Sequence, residues 1–181
     1  MKAFAPILEV IKVIVGVFNV AAVLRWAVFQ PFIVDGSSME PNFHNNEYII
    51  VEKVSYHFHA PRRGDVIVLE YPGDTSVDYI KRIIGLPGET VKIANGNVYI
   101  NNKQLNEPYL AIGQQTTAPE GSTAPYTVTL GANQFFMMGD NRDHSSDSRD
   151  WGVLDRNLII GRAALVLYPT QDFHDVVTPS Y

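Results

Sequence analysis

Apolar residues fill the N-terminal part of the chain almost without interruption. Beyond it, short apolar runs are separated by polar turns. Residues 7–28 are nearly all apolar. As a helix they would span roughly 33 Å at about 1.5 Å per residue, which is about the apolar thickness of a bilayer. We therefore predict one N-terminal transmembrane helix and assign residues 1–31 to a membrane anchor.

Two other interpretations of this segment stay open. Lys12 and Arg25 interrupt it, and residues 13–24 between them have the length of a signal-peptide apolar region or of a buried helix. A small-x-small cleavage site is missing between Leu24 and Gly36, which argues against a cleaved signal. The slight charge asymmetry around the segment does not set its orientation.

Beyond Pro31 the chain consists of short β-branched and aromatic runs bounded by polar turns, a pattern typical of strands. Asn95-Gly96-Asn97 between two such runs is a strong hairpin signal. Many short strands and one long helix predict a mainly β domain over residues 32–181, built from bent antiparallel sheets or a partial barrel. We expect a small irregular insertion at about 95–133. The predicted strands are residues 32–34, 48–54, 66–71, 77–84, 91–94, 98–100, 134–138 and 158–167.

Charge and composition narrow the function classes. Lys2, Lys12 and Arg25 against Glu9 give residues 1–32 a net charge of +2, so the −5 of the whole chain leaves −7 on the remainder. An acidic domain does not favour binding to nucleic acid. The chain has no cysteine, which excludes disulfides, thiolate metal ligands and a cysteine nucleophile. We expect no cofactor, and the sequence does not indicate an oligomeric state.

Ser38 is a candidate nucleophile in the bend Gly36-Ser37-Ser38-Met39-Glu40-Pro41. A serine hydroxyl is a weak nucleophile and needs a base within hydrogen-bonding reach. Small flanking residues allow a backbone N–H to approach a substrate carbonyl and hold a developing oxyanion. Gly and Ser are also common turn residues, so an ordinary turn remains the alternative.

Lys81 is the candidate base. Alternation along its strand places Tyr79, Lys81 and Ile83 on one face. Burial against apolar neighbours lowers the pKa of a lysine, and a neutral amine could accept the proton of Ser38. The alternative is an edge-strand lysine that discourages aggregation. Arg82 is the poorer base because a guanidinium does not lose its proton in proteins.

Residues 139–152 form a loop with four aspartates and two arginines. This density predicts a scaffold of hydrogen-bonded carboxylates and guanidiniums. The spacing of an EF-hand calcium loop fails, because Ser148 and Leu154 stand where glycine and glutamate are required. His144 beside Asp143 leaves a Ser–His–Asp triad open.

His57-Phe58-His59 would place two imidazoles on one face of a strand. Two ligands alone make a poor metal site. We interpret both as surface histidines and predict no metal site.

These segments together resemble bacterial type I signal peptidases of the Gram-positive type, membrane-bound Ser/Lys serine proteases that cut leader peptides from exported proteins. The resemblance runs from the apolar N-terminus to Tyr168-Pro169 and rests on four segments in the family's order. They are Gly36-Ser37-Ser38-Met39-Glu40-Pro41, Arg63-Gly64-Asp65-Val66, Asp78-Tyr79-Ile80-Lys81-Arg82, and residues 139–152.

The resemblance implies that Ser38 is the nucleophile and Lys81 the general base. The backbone N–H of Ser38 would serve the oxyanion hole. Some relatives add a serine hydroxyl two residues earlier, where this chain has Gly36, so a second donor must come from elsewhere. Asn42 stands where relatives often have threonine, and we expect no effect of that change on the chemistry.

The resemblance also implies roles for four residues of the acidic loop. Ser145 matches the serine that hydrogen-bonds and orients the lysine. Asp147 and Arg149 match a pair that braces the loop, and Asp140 matches an aspartate that supports the site.

The implied substrates are preproteins with small residues, typically alanine, one and three positions before the cut. Segments 32–36 and 78–81 would bind this stretch as an added strand. The implied location is the cell membrane, single-pass, with the catalytic domain on the extracytoplasmic side and the lipid bilayer as a partner. The expected substrate-binding residues are Phe32, Val34, Gly36, Met39, Asp78, Tyr79 and Ile80.

Two other function classes remain. One is a non-enzymatic, membrane-tethered peptide-binding β-domain of the secretion machinery, against which the presence of both Ser38 and Lys81 argues. The other is a self-cleaving repressor with a related β-fold. Such repressors carry a DNA-binding helical domain where this chain has its apolar span.

Overall fold

The computed structural model describes residues 5–122, 125–169 and 172–181. Helix α1 (Ala5–Val28) leads directly into strand β1 (Phe29–Ile33). The side chains of residues 9–22 are all exposed. Within the described residues, none of the helices combines the length and the apolar character needed to cross a bilayer. The predicted transmembrane helix is therefore unconfirmed.

Short strands and three short helical turns make up the rest of the described chain. Each predicted strand has a counterpart, and residues 66–71 and 134–138 match to the residue. In chain order the elements are β2 (Tyr48–Glu52), α2 (Ser55–Phe58), β3 (Val66–Tyr71), β4 (Asp74–Gly85), β5 (Thr90–Ala94), β6 (Asn97–Ile100), β7 (Lys103–Gln104), β8 (Tyr126–Thr129), β9 (Gln134–Met138), α3 (Ser148–Trp151), β10 (Leu154–Asp155), a 3-10 turn (Arg156–Leu158), β11 (Ile159–Tyr168) and β12 (His174–Asp175).

The strands form two antiparallel sheets. The larger has the order β1-β2-β11-β3-β4-β9-β10, with β12 added to β11, and the smaller has the order β7-β6-β5-β8. All of the described pairs are antiparallel. This confirms a mainly β fold of antiparallel sheets.

Strand β11 lies between β2 and β3, and Gly161 makes this close approach possible. A Cβ at Gly161 would overlap the backbone of Glu52 on β2. The pairing of β11 with β3 shifts register between Ile159 and Gly161, as expected of a bulge. The glycine that interrupts the apolar pattern thus marks a bend within one strand.

The predicted hairpin joins β5 to β6. Asn95 has φ 51° and Gly96 has φ 77°, the positive pair that a tight two-residue turn requires. Strands β6, β7 and β8 lie inside the segment at about 95–133 that was expected to be irregular. The described residues between β7 and β8 form turns and irregular backbone, whereas Tyr126–Thr129 pairs with β5.

The histidine pair is not on a strand, contrary to expectation. Glu52 accepts a hydrogen bond from the Ser55 N–H at 3.0 Å and another from its hydroxyl, which ends β2 and starts the turn of α2. His57 and His59 are both exposed around Phe58.

Three apolar clusters form the core. The first fills the space beneath the bend that carries Ser38, the second lies against the smaller sheet, and the third covers the other face of β3, β4 and β9. Their central members are Val34, Met39, Phe43 and Ile80 in the first, Val91, Val98 and Phe136 in the second, and Ile67, Leu69 and Ile83 in the third.

Candidate active site

Ser38 lies in the bend that follows β1, and three hydrogen bonds fix the backbone of that bend. The N–H of Gly36 donates to the Asn45 side chain at 2.9 Å. Asn141 donates its own N–H to the Ser38 carbonyl at 3.0 Å and its side-chain amide to the Ser37 carbonyl at 3.1 Å. Gly36 has φ 91°, which a side chain would strain. The half-buried Ser38 therefore sits on a backbone held from both sides.

Lys81 reaches this serine from β4. Its Nζ lies 2.9 Å from the Ser38 Oγ and 2.9 Å from the carbonyl oxygen of Ile80, and the residue is 4% exposed. Burial lowers the pKa of the Lys81 ammonium to about 8, against the opposing attraction of the carboxylates of Asp147 and Asp140. The aromatic ring of Tyr79 lies 5.1 Å from Nζ, on the strand face that alternation predicted.

Ser145 is not hydrogen-bonded to Lys81, which corrects the expectation. Its Oγ is buried and has no partner among the described residues. Lys81 folds back towards its own strand and donates to the Ile80 carbonyl. Ser145 nevertheless borders the nucleophile, because a Cβ placed on Gly139 would overlap both Ser145 and the Ser38 carbonyl oxygen.

Asp147 and Arg149 form the pair that was predicted to brace the loop. The guanidinium donates to both carboxylate oxygens of Asp147 at 2.9 Å. The Gly139 N–H adds a hydrogen bond at 3.0 Å, and Asp147 also caps α3. Burial would raise the pKa of Asp147, but these hydrogen bonds and the charge of Arg149 outweigh it and lower that pKa.

Asp140 supports the site through a partner that the sequence analysis did not identify. The neighbour of Lys81, Arg82, donates to both carboxylate oxygens of Asp140 at 2.7 and 2.6 Å. Asn42 bridges the same carboxylate at 2.9 Å and the Tyr109 carbonyl at 2.7 Å. The side chain of Asn42 is thus part of the support. The only hint of this ion pair in the sequence was the presence of an arginine next to Lys81.

A second missed contact ties the acidic loop to the segment after β7. Arg142 is fully buried and makes an ion pair and hydrogen bonds to Glu107, together with a hydrogen bond to the Thr116 hydroxyl. The partners lie 35 and 26 residues away in the sequence. No local pattern indicates such a pairing.

A cleft of about 240 Å³ opens beside Ser38 and Lys81. Its wall includes five of the seven expected substrate-binding residues, which are Phe32, Val34, Asp78, Tyr79 and Ile80. Ile33 and Asp35 also line the cleft and lie within the expected binding segment 32–36, whereas the sequence analysis did not identify Ile49, Val68 and Ser146.

Met39 and Gly36 are not part of this wall, contrary to expectation. Met39 is 1% exposed and packs in the apolar cluster beneath the bend. The side chain after the nucleophile points inward here because the chain turns at Ser38, with the Phe43 N–H bonded to the Met39 carbonyl at 3.0 Å. Gly36 is exposed on the outer side of the bend.

Two free backbone edges flank the cleft. Among the described residues, strand β1 pairs on one side only, with β2. Strand β4 pairs with β3 over residues 78–82 but with β9 only over residues 82–85, so residues 78–81 leave one edge unpaired within the described ranges. An extended peptide could therefore add to either edge.

His144 does not complete a triad. It is exposed, and its backbone N–H bonds to the Asn141 carbonyl at 3.2 Å. Lys81 occupies the position of the base beside Ser38.

Comparison of the sequence with known proteins identifies a family. Residues 7–168 match the family described as signal peptidase, peptidase S26. Signal peptidase I S of Bacillus subtilis (strain 168) is 41% identical over 90% of this chain and 90% of its own length. Signal peptidase I of Leptolyngbya laminosa is 38% identical over 98% of this chain and 88% of its own length. A crystal structure of a signal peptidase I from Enterococcus faecalis V583 aligns with 34% identity and a TM-score of 0.48, over 60% of this chain and 97% of that chain.

The family match covers most of the sequence and includes every segment that builds the site. The chain belongs to the signal peptidase family, peptidase S26, and is a serine peptidase.

Proposed function

We propose that this chain is a membrane-anchored endopeptidase that removes signal peptides from exported preproteins, with Ser38 as nucleophile and Lys81 as general base. The observation that carries the proposal is the 2.9 Å contact between the Ser38 Oγ and a lysine that is almost fully buried. A serine hydroxyl beside an amine that can be neutral near pH 8 is equipped for attack on a carbonyl.

The reaction begins when the neutral Lys81 amine takes the Ser38 proton as Oγ attacks the scissile carbonyl carbon. The ammonium then gives that proton to the leaving amine as the C–N bond breaks, which leaves an ester on Ser38. A water molecule attacks the ester and gives its proton to Lys81, and the acid product leaves as the proton returns to Ser38. One lysine thus serves as base and acid in both halves.

The oxyanion is stabilised by the N–H of Ser38, which is free of any protein acceptor among the described residues. Gly36 has no side chain that could add a second donor. The bonds from Asn141 to the Ser37 and Ser38 carbonyls keep the bend in place as charge develops on the substrate oxygen.

Ser145 acts on Lys81 once the amine is charged. An ammonium has three N–H donors, and Lys81 uses two of them, on Ser38 and Ile80. The Oγ of Ser145 is buried without a partner among the described residues and borders the nucleophile on the loop side. We assign it the third proton of the charged lysine. Asp140 with Arg82 holds this loop against β4, and Asp147 with Arg149 braces the loop internally.

The cleft suits an extended peptide with small side chains. Residues 78–81 offer an unpaired strand edge, and the cleft of about 240 Å³ has apolar walls that include Phe32, Val34 and Ile80. A large side chain next to the scissile bond would meet these walls. We assign Phe32, Val34, Asp78, Tyr79 and Ile80 to substrate binding.

Helix α1 is proposed to anchor the enzyme, with residues 1–31 as the anchor, residues 32–181 as the catalytic domain, and that domain on the extracytoplasmic side. The support is the apolar surface of α1. Val10, Val13, Val17 and Phe18 are each more than half exposed, a surface that water does not favour. Flotation of the full chain with lipid vesicles tests the anchor.

The peptidase function is tested by incubating the detergent-solubilised full chain with a preprotein and mapping the cut by mass spectrometry. We expect one cut after a small residue, and none with the Ser38→Ala variant. Cleavage by that variant, or the absence of any cut by the parent chain, would refute the assignment.

A further inference from the structure

We propose that α2 and the residues around it bind the anionic phospholipid headgroups of a bilayer, as a contact separate from the active site and from α1. This inference rests on the proposed anchoring of α1. The surface, which we call the α2 ridge, consists of residues 53–62 together with Arg156.

The α2 ridge lies where the body of the protein meets the anchor. The Lys53 N–H donates to the carbonyl of Val28, the last residue of α1, at 3.0 Å. Phe29 pairs with Glu52, one residue before the ridge begins. A bilayer that holds α1 would therefore be next to the ridge.

The charge of the α2 ridge is opposite to that of the rest of the domain. Residues 53–62 contain Lys53 and Arg62 and no aspartate or glutamate, and Arg156 adds a third cation, although the chain as a whole carries −5. Each lysine or arginine near negatively charged headgroups raises the affinity of such a segment for the membrane by about fivefold.

Three cations of the ridge are available for this attraction. The neighbouring Arg63 and Arg162, which lie outside the ridge, form ion pairs with Glu89 and Glu52, respectively. Within the described residues, Lys53, Arg62 and Arg156 have no carboxylate partner. The nearby carboxylates already have other partners. Glu52 accepts hydrogen bonds from Ser55 and Arg162, and Asp65 accepts them from Tyr56 and Thr178.

Two clefts place these cations on both sides of an exposed aromatic residue. One, of about 260 Å³, has Lys53, His57 and Arg156 in its wall, and the other, of about 430 Å³, has His59, Arg62 and Arg162. Phe58 lies between His57 and His59 in the sequence, so a residue of each cleft flanks it along the chain, and it is 76% exposed. An aromatic ring flanked by cations is suited to the interface of a bilayer, where the ring enters the acyl boundary and the cations meet phosphate.

The absence of cysteine from the chain allows a direct test. Phe58→Cys and, as a matched control, Ile112→Cys, at an apolar residue that is also exposed, would each be labelled with an environment-sensitive fluorophore. The full chain would be reconstituted in vesicles of phosphatidylcholine alone or mixed equally with phosphatidylglycerol. We expect a blue-shifted signal at position 58, quenched by spin-labelled lipid and strongest with phosphatidylglycerol, and no such response at position 112.

Charge variants made in the Phe58→Cys protein distinguish binding by the cations of the ridge from a general effect of the protein's net charge. Lys53→Gln with Arg62→Gln should lower the ratio of inserted to free probe by roughly 25-fold, about fivefold per cation. Lys92→Gln with Lys103→Gln removes the same charge from the smaller sheet and should leave the ratio unchanged. Equal responses at positions 58 and 112, equal effects of the two charge variants, or a chain that fails to float with the vesicles would overturn the proposal.

Cleavage of a soluble signal-sequence peptide in detergent distinguishes this inference from the peptidase assignment. We expect Lys53→Gln with Arg62→Gln to cleave that peptide at the parent rate. A parent chain that inserts at position 58 but cuts no peptide would refute the proposed function alone.

Discussion

Arg82 holds the carboxylate of Asp140 with hydrogen bonds of 2.7 and 2.6 Å, one residue along β4 from Lys81. Both side chains of the pair are buried. Because side chains alternate along a strand, Arg82 points away from the cleft that Lys81 enters. The pair therefore fastens the strand of the base to the loop whose next residue, Asn141, bonds to Ser38.

Replacing Asp140 by alanine should destabilise the fold by about 3–5 kcal/mol, because it leaves the buried guanidinium of Arg82 without its counter-charge. Urea denaturation followed by circular dichroism measures the change. The double variant Arg82→Met with Asp140→Leu removes both charges and should recover a large part of the loss. Equal losses in the single and double variants would show that the ion pair is not the cause.

Lys81→Met should abolish cleavage and yet stabilise the protein at pH 7. Burial lowers the pKa of Lys81 from 10.5 to about 8, so keeping the folded lysine charged at pH 7 costs about 3 kcal/mol. Methionine removes this cost but also the hydrogen bonds to Ser38 and Ile80, so we expect a net gain of roughly 1–3 kcal/mol. Urea denaturation and a preprotein assay check both outcomes, with the exposed Lys103→Met as control.

The pH dependence of kcat/KM should follow the ionisation of Lys81. The amine is neutral above its folded pKa of about 8, so activity should rise with pH and level off above that value. The unfolded chain binds more protons than the folded one between about 8 and 10.5, so this group also makes the protein more stable as pH rises through that window. A profile that is flat across pH 8 would identify another base.

Gly139→Ala should strongly reduce both activity and stability. The added Cβ would overlap Ser145 and the carbonyl oxygen of Ser38, so the loop or the nucleophile bend must move. Gly131→Ala is a matched control, because its Cβ would meet only the flexible side chain of Gln134, at 3.1 Å. Thermal unfolding and steady-state cleavage of both variants test the prediction, and similar behaviour of the two glycines would contradict it.

Ser145→Ala should lower kcat by at least about tenfold without lowering the melting temperature, because the lost hydroxyl has no partner in the resting structure and is needed only by the charged lysine. Ser145→Thr keeps the hydroxyl and should retain more activity. Unchanged kcat in the alanine variant would mean that Ser145 plays no part in orienting Lys81.

Local patterns were sufficient to predict most of the strands and to make Ser38 and Lys81 candidates for a nucleophile and a base. Alternation placed Lys81 and Tyr79 on one face of β4, and Asn95-Gly96 identified the turn between β5 and β6, because both depend only on neighbours in the sequence. Ser38 and Lys81 are 43 residues apart, and their meeting was expected from the resemblance rather than from either segment alone.

Contacts that depend on packing could not be predicted. The presence of asparagine at position 42 was expected not to affect the chemistry, and its contacts were not predicted: Asn42 bridges Asp140 and the Tyr109 carbonyl, which lie 98 and 67 residues away. Met39 was expected to line the substrate pocket, but its side chain packs in the apolar cluster beneath the bend. The resemblance implied a hydrogen bond between Ser145 and Lys81, whereas the lysine donates to Ser38 and to the Ile80 carbonyl on its own strand.

The buried contact of Arg142 with Glu107 and Thr116 limits how freely evolution or protein engineers can exchange parts of this enzyme. The irregular segment after β7 lies outside the strands that carry Ser38 and Lys81, so an engineer could choose to shorten or exchange it. Removing it would also remove Glu107, the counter-charge of Arg142 in the loop of residues 139–152. A chimera that takes this segment from a homologue must also supply an acidic residue and a hydroxyl to pair with Arg142. Without them the buried guanidinium would be unpaired, and the loop that carries it would be displaced from the active site.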